Sequence, residues 1–110
     1  MNSAARRGVL YVCSIMAWEI ATLVRKGRLL LDTSPKRFVE ALLSQPGISE
    51  IPVDRDISLM AGSLPDDFHG DPADRLIVST AIIHGLRVVT RDERIIDYAG
   101  RSGAFPVIVC

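Results

Sequence analysis

A chain of 110 residues has room for one domain and a single hydrophobic core. With 48% hydrophobic and 24% charged residues, its composition is globular, which excludes a disordered tail and a fibrous repeat. Thirteen basic residues balance thirteen acidic ones, which argues against an open basic surface that grips nucleic acid by charge alone. A local acidic site, offset by basic residues or a metal ion nearby, is compatible with that balance.

No stretch reaches the ~18 consecutive apolar residues of a membrane-spanning helix. Met1 to Arg7 contains two arginines with no signal-type hydrophobic region behind them, so no membrane partner is expected. Cys13 and Cys110 each end an apolar run and lack metal-ligand spacing; buried free thiols in a reducing cytoplasm are the expectation.

In chain order, Val9 to Cys13 is an unbroken apolar run suited to a strand buried on both faces. Ser14 is a candidate N-cap for a helix over Ile15 to Lys26, ending at Gly27. Ser34-Pro35 opens a second helix that runs to about Gln45, where Pro46-Gly47 stops it. Ile48 to Val53 alternates like a strand, Asp54 to Leu64 reads as a short helix, and Pro65 to Gly70 as a loop. Asp71-Pro72 starts a helix to His84, stopped by Gly85; Leu86 to Thr90 is a strand, Arg91 to Ala99 a helix, and Phe105 to Val109 a last strand. This alternation predicts one domain over residues 1–110, an α/β three-layer sandwich around a mainly parallel sheet.

In such a sheet, helices begin near the carboxyl edge of the strands, and ligands bind outside that edge. Glu19 lies early in the helix after the first strand, Asp74 in the first turn of the Asp71-Pro72 helix, and Asp92 just beyond the strand ending at Thr90. All three belong on one edge. Asp74 heads the apolar stripe Ile77, Val78 and Ala81, and Asp92 heads Ile95, Ile96 and Ala99. A carboxylate above a buried stripe needs a compensating partner. A helix N-terminus supplies roughly 0.3–1 kcal/mol of that; a hard cation supplies more, and clustered carboxylates are ligands that Mg²⁺ prefers.

Simpler roles compete at each position. Asp71, Pro72 and Asp74 fit N-cap, N1 and N3 of an ordinary helix start, and Thr90 with Glu93 has the form of a capping box in which Asp92 only favours the dipole. Glu19 has Thr22 and Lys26 among its helical neighbours and would suit a solvent-facing position. Trp18 is expected in the core, His84 as a partner of a helix C-terminus, and His69 in a solvated loop. Phosphate-loop, dinucleotide and serine-hydrolase motifs are absent.

The segments Ala17-Trp18-Glu19-Ile20-Ala21, Lys26-Gly27-Arg28-Leu29, Asp71-Pro72-Ala73-Asp74-Arg75-Leu76-Ile77 and Val89-Thr90-Arg91-Asp92 resemble, in order and spacing, the PIN-domain toxins called VapC. The resemblance runs from about Val9 to the C-terminus. It implies a PIN-like fold and a cytoplasmic endoribonuclease toxin that hydrolyses RNA with Mg²⁺ or Mn²⁺. It further implies a homodimer, held inactive by a cognate antitoxin. By motif, Glu19, Asp74 and Asp92 are the catalytic and metal-binding residues, and Asp71 is an accessory aspartate. Arg75, Arg91 and Arg94 are expected to meet the RNA backbone. The family pattern begins with a central strand ending in aspartate, and here Met1 to Arg7 stands directly before what would be the second strand. The expected sheet therefore lacks its first central strand, leaving apolar strand edges uncovered and one metal ligand of four missing. Leu30-Leu31-Asp32-Thr33 spells the missing letters after the Glu19 helix, and Asp32 is read as a chance match. The alternative reading is a non-catalytic module that binds antitoxin through its early helices.

Overall fold

The computed structural model describes residues 10–65, 68, 71–90 and 92–109. Strand β1 (Leu10–Cys13) turns directly into helix α1 (Ile15–Arg25), followed by α2 (Pro35–Leu43) and β2 (Ile48–Ile51). Then come α3 (Arg55–Ser63), α4 (Pro72–His84), β3 (Val88–Thr90), α5 (Glu93–Ser102) and β4 (Val107–Val109). Each boundary has a local cause. Ser34 accepts a hydrogen bond from Arg37 N–H at 3.2 Å with Pro35 behind it. Asp54 caps α3 through Ile57 N–H at 2.9 Å. Gly85 ends α4 with φ at 65°, a left-handed conformation that a glycine adopts without strain.

One expected cap is different. Ser14 makes no side-chain cap to α1; its hydroxyl instead accepts from Val53 N–H at 3.0 Å, tying the β1–α1 turn to the chain leaving β2. Its backbone is already helical, so its oxygen does not point at the free N–H groups of the first turn.

The α/β alternation and the parallel strand direction are as the sequence predicts. Among the described residues the strands form two parallel pairs rather than one continuous sheet. β1 runs beside β2 with Leu10 opposite Ile48 and Cys13 opposite Ile51, and β3 beside β4 with Val88 opposite Val107. Helix α4 packs on both β1 and β3 and so joins the two pairs. Between them, Leu10 and Tyr11 on one side and Val88 and Val89 on the other line an apolar cleft with Ile77 and Ala81 of α4. β1 was expected to be buried on both faces, yet Leu10 and Tyr11 are 37% and 40% exposed. Among the described residues β2 covers one edge of β1, and the other opens on this cleft.

The core is concentrated at the β3–β4 end. Phe68, Val78, Val88, Ile95, Tyr98 and Phe105 pack together, and the Phe68 ring stacks on Tyr98 with centroids 4.7 Å apart. Neither α1 nor α2 contributes a fully buried residue. Trp18, expected in the core, lies 59% exposed on α1, and Leu30 in the following link is 91% exposed. Asp32 lies in that same link and is exposed.

Helix α3 ends at Leu64 without a glycine to turn its last carbonyls inward. Arg75 of α4 replaces that device. Its Nε donates to Ala61 O at 2.9 Å, Nη1 to Phe68 O at 3.1 Å and Nη2 to Leu64 O at 2.5 Å. One planar fork therefore fixes the end of α3, the backbone of the buried Phe68 and the start of α4 relative to one another. Arg75→Met is expected to lower unfolding free energy by about 2–3 kcal/mol in a denaturant titration, because three half-buried carbonyls lose a charged donor. A change below about 0.5 kcal/mol, the size of an ordinary surface substitution, would refute the clamp.

Candidate active site

The site begins with two helix starts. Asp71 is the N-cap of α4: its Oδ1 accepts from Asp74 N–H at 2.9 Å, and Pro72 sets the first helical dihedral. Asp74 stands one turn in, above Val78 and Ala81, which are 0% and 5% exposed. At α5 the cap is Asp92 itself, whose Oδ1 accepts from Arg94 N–H at 2.9 Å. The expected capping box with Thr90 as cap is corrected accordingly. Thr90 Oγ1 accepts from Asp92 N–H at 3.0 Å, which holds the capping residue rather than the helix. Below Asp92, Ile95 and Ala99 are buried as the stripe predicted.

Both simple helix-start roles are thus real, and both leave a carboxylate oxygen for other work. Arg94 Nη2 lies 3.3 Å from Asp74 Oδ2 and 3.2 Å from Asp92 Oδ2, so one nitrogen bridges the two carboxylates. Glu19 approaches from α1, which packs on α4. Burial pushes its carboxyl up from the ordinary glutamate value, and the charges of Asp71 and Asp74 push it further. Burial likewise raises Asp74, with Asp71 and Asp92 adding to the rise and Arg94 opposing it. Asp92 moves the other way, because the hydrogen bond from Arg94 holds its carboxyl below the usual range. Asp74 is thus within electrostatic reach of Glu19 on one side and of Asp92 on the other.

Of the expected substrate-binding arginines, Arg75 is redirected: all three of its guanidinium nitrogens donate to backbone carbonyls. Arg94 faces the carboxylates. Arg91 and His69 lie outside the described residues, as do Val9 and Cys110. Cys13 is a free thiol, half-buried, with Thr80 Oγ1 3.5 Å from its sulfur.

The donor set fits a hard cation. Asp74 and Asp92, both on helix starts, offer carboxylate oxygens that face one guanidinium nitrogen. Among the described residues no three acidic, histidine or cysteine side chains form a ready-made cluster. Mg²⁺ does not need one, since it keeps several waters and commonly takes one or two carboxylates.

Residues 2–101 match the PIN domain family, and the chain belongs to that family. Within it, the chain is 36% identical over 86 residues to Ribonuclease VapC22 of Mycobacterium tuberculosis (strain ATCC 25618 / H37Rv), a match over 78% of this chain. The chain spans 65% of that relative's length. Its fold is similar to a chain of a toxin–antitoxin complex from Klebsiella pneumoniae, with a TM-score of 0.57 at 22% identity, over 89% of this chain and 71% of that one.

The raised carboxyls carry a stability consequence of definite sign. Glu19 holds its proton more tightly folded than unfolded, so its contribution favours folding at low pH and is lost as pH rises through its raised value. Once pH exceeds that raised value, the ionised Glu19 is repelled by Asp71 and Asp74, and Glu19→Gln removes that repulsion. The melting temperature of Glu19→Gln relative to the unmodified protein is expected to rise with pH, reaching a gain of roughly 1–3 °C, and the gain to vanish below the ordinary glutamate range. A difference in melting temperature that does not grow with pH contradicts the shared edge.

Proposed function

We propose that this chain is a VapC-type metal-dependent endoribonuclease, the toxin of a toxin–antitoxin pair, hydrolysing RNA phosphodiester bonds. The observation that carries the reading is the coupling of Glu19, Asp74 and Asp92 at one edge, on the segments that match the motif. Similarity to Ribonuclease VapC22 supports it. Asp74 and Asp92 would hold Mg²⁺ or Mn²⁺ directly through the oxygens that now face Arg94, with Glu19 binding or orienting through water. The chemistry such an ion would supply there is activation of a water and stabilisation of the charge that develops on the phosphate.

The chain's own residues supply the placement. Asp71 and Thr90 fix the backbones of Asp74 and Asp92 by hydrogen bonds at 2.9 and 3.0 Å, so the two carboxylates keep their separation as charge accumulates. Burial of Asp74 limits solvent around its carboxylate, which strengthens its hold on a cation. Arg91, adjacent to Asp92 in sequence, remains the candidate for the RNA backbone.

A cytoplasmic setting, a cognate antitoxin and a homodimer belong to the same proposal. Among the described residues no helix is long and apolar enough to cross a membrane. The exposed Trp18, Leu23 and Phe38 of α1 and α2 support a protein partner on that face. They also favour the second reading, a module that binds antitoxin and cuts nothing.

RNA cleavage with Mg²⁺ by the chain, set against Asp74→Asn, separates the two. The enzyme reading predicts cleavage that falls at least about 100-fold in the variant, roughly 3 kcal/mol of transition-state stabilisation. Equal activity of the two proteins would end the assignment, and antitoxin binding without any cleavage would establish the second reading.

A further inference from the structure

We propose that the Arg94 guanidinium takes the place of the divalent ion in the metal-free protein, bridging Asp74 and Asp92, and that the ion binds by displacing it. The inference rests on the metal-site reading above and deepens it.

Three features of the site lead there. Nη2 sits between Asp74 Oδ2 at 3.3 Å and Asp92 Oδ2 at 3.2 Å, and Nε reaches Asp92 Oδ1 at 3.5 Å. A cation entering between the two carboxylates would use the same oxygen lone pairs, so guanidinium and metal exclude each other. Next, exposure is graded: the Asp74 side chain is 14% exposed, Asp92 30% and Arg94 54%. The guanidinium is the outer and most exposed member, on a long stem. Lastly, the helix starts that carry the two carboxylates do not depend on the arginine side chain. Asp92 Oδ1 is held by the Arg94 backbone N–H at 2.9 Å, and Asp74 N–H is held by Asp71 at 2.9 Å. Both bonds survive removal of the guanidinium.

Arg94 thus has a double effect. It offsets the repulsion among Asp71, Asp74 and Asp92 that metal-free protein otherwise carries, and it sets a threshold that a metal must exceed. Because the two cations compete for one site, whatever strengthens the internal bridge weakens metal binding by the same factor.

Mn²⁺ binding measured by titration calorimetry without RNA tests this, alongside thermal melting with and without the ion. Arg94→Gln is expected to bind Mn²⁺ about fivefold tighter than the unmodified protein, the scale of two exposed ion pairs. Arg94→Lys keeps the charge but loses the planar fork, and should fall between the two. Metal-free Arg94→Gln should melt below the unmodified protein, with saturating Mn²⁺ closing the gap. Arg101→Gln, which removes a positive charge further along α5, should leave the Kd unchanged. An Arg94→Gln Kd equal to or weaker than that of the unmodified protein overturns the proposal, as does equal tightening in Arg101→Gln. In either case the metal site itself stands, provided Asp74→Asn abolishes binding. No Mn²⁺ binding by the unmodified protein or by Arg94→Gln would remove the metal site, and this proposal with it.

Discussion

Carboxylates that converge on one edge repel one another, and that repulsion organises the site. The convergence is a product of the backbone: α1 follows β1 and α5 follows β3, so Glu19 and Asp92 arrive at the strand ends, and Asp74 arrives on the first turn of α4 between them. Burial over an apolar stripe makes the charge on Asp74 harder to carry. Among the described residues, Arg94 supplies an opposing charge. The helix starts add hydrogen bonds at Asp71 and Asp92, which fix geometry while leaving the outer oxygens available.

Much of the architecture was legible because short-range chemistry decides it. Ser34-Pro35, Asp71-Pro72 and Gly85 mark helix ends with residues whose dihedrals or side-chain oxygens act within one turn. The strand runs were found but drawn too long; Leu86 to Thr90 shortened to Val88–Thr90, because pairing with β4 rather than apolar character sets where a strand begins. Burial was less legible. Trp18 looked like a core residue by type, but the core gathers at the β3–β4 end around Phe68 and Tyr98, and α1 lies away from it. No local pattern encodes which end of an α/β domain holds the tighter packing.

Glu19, Asp74 and Asp92 are singled out by their places at strand ends, and Asp74 and Asp92 also by the apolar stripes beneath them, independently of any resemblance. Arg75 and Arg94 meet groups of the chain itself; a sequence shows a positive charge but not what it meets. A signal for Arg75 did exist: α3 ends at Ser63-Leu64-Pro65 with no glycine, so its carbonyls needed a donor from elsewhere. For Arg94 the signal was its position two residues after a capping aspartate, where the side chain can fold back over the cap. The same residue that looked like an RNA contact is, in the folded chain, the counter-charge of the site.

The proposed site places a single cation between Asp74 and Asp92. A crystal of the protein grown with Mn²⁺, measured at a wavelength where manganese scatters anomalously, tests it most directly. One anomalous peak between the Asp74 and Asp92 carboxylates is the expected result. Manganese peaks elsewhere on the surface, with those carboxylates making no contact to any of them, would contradict it.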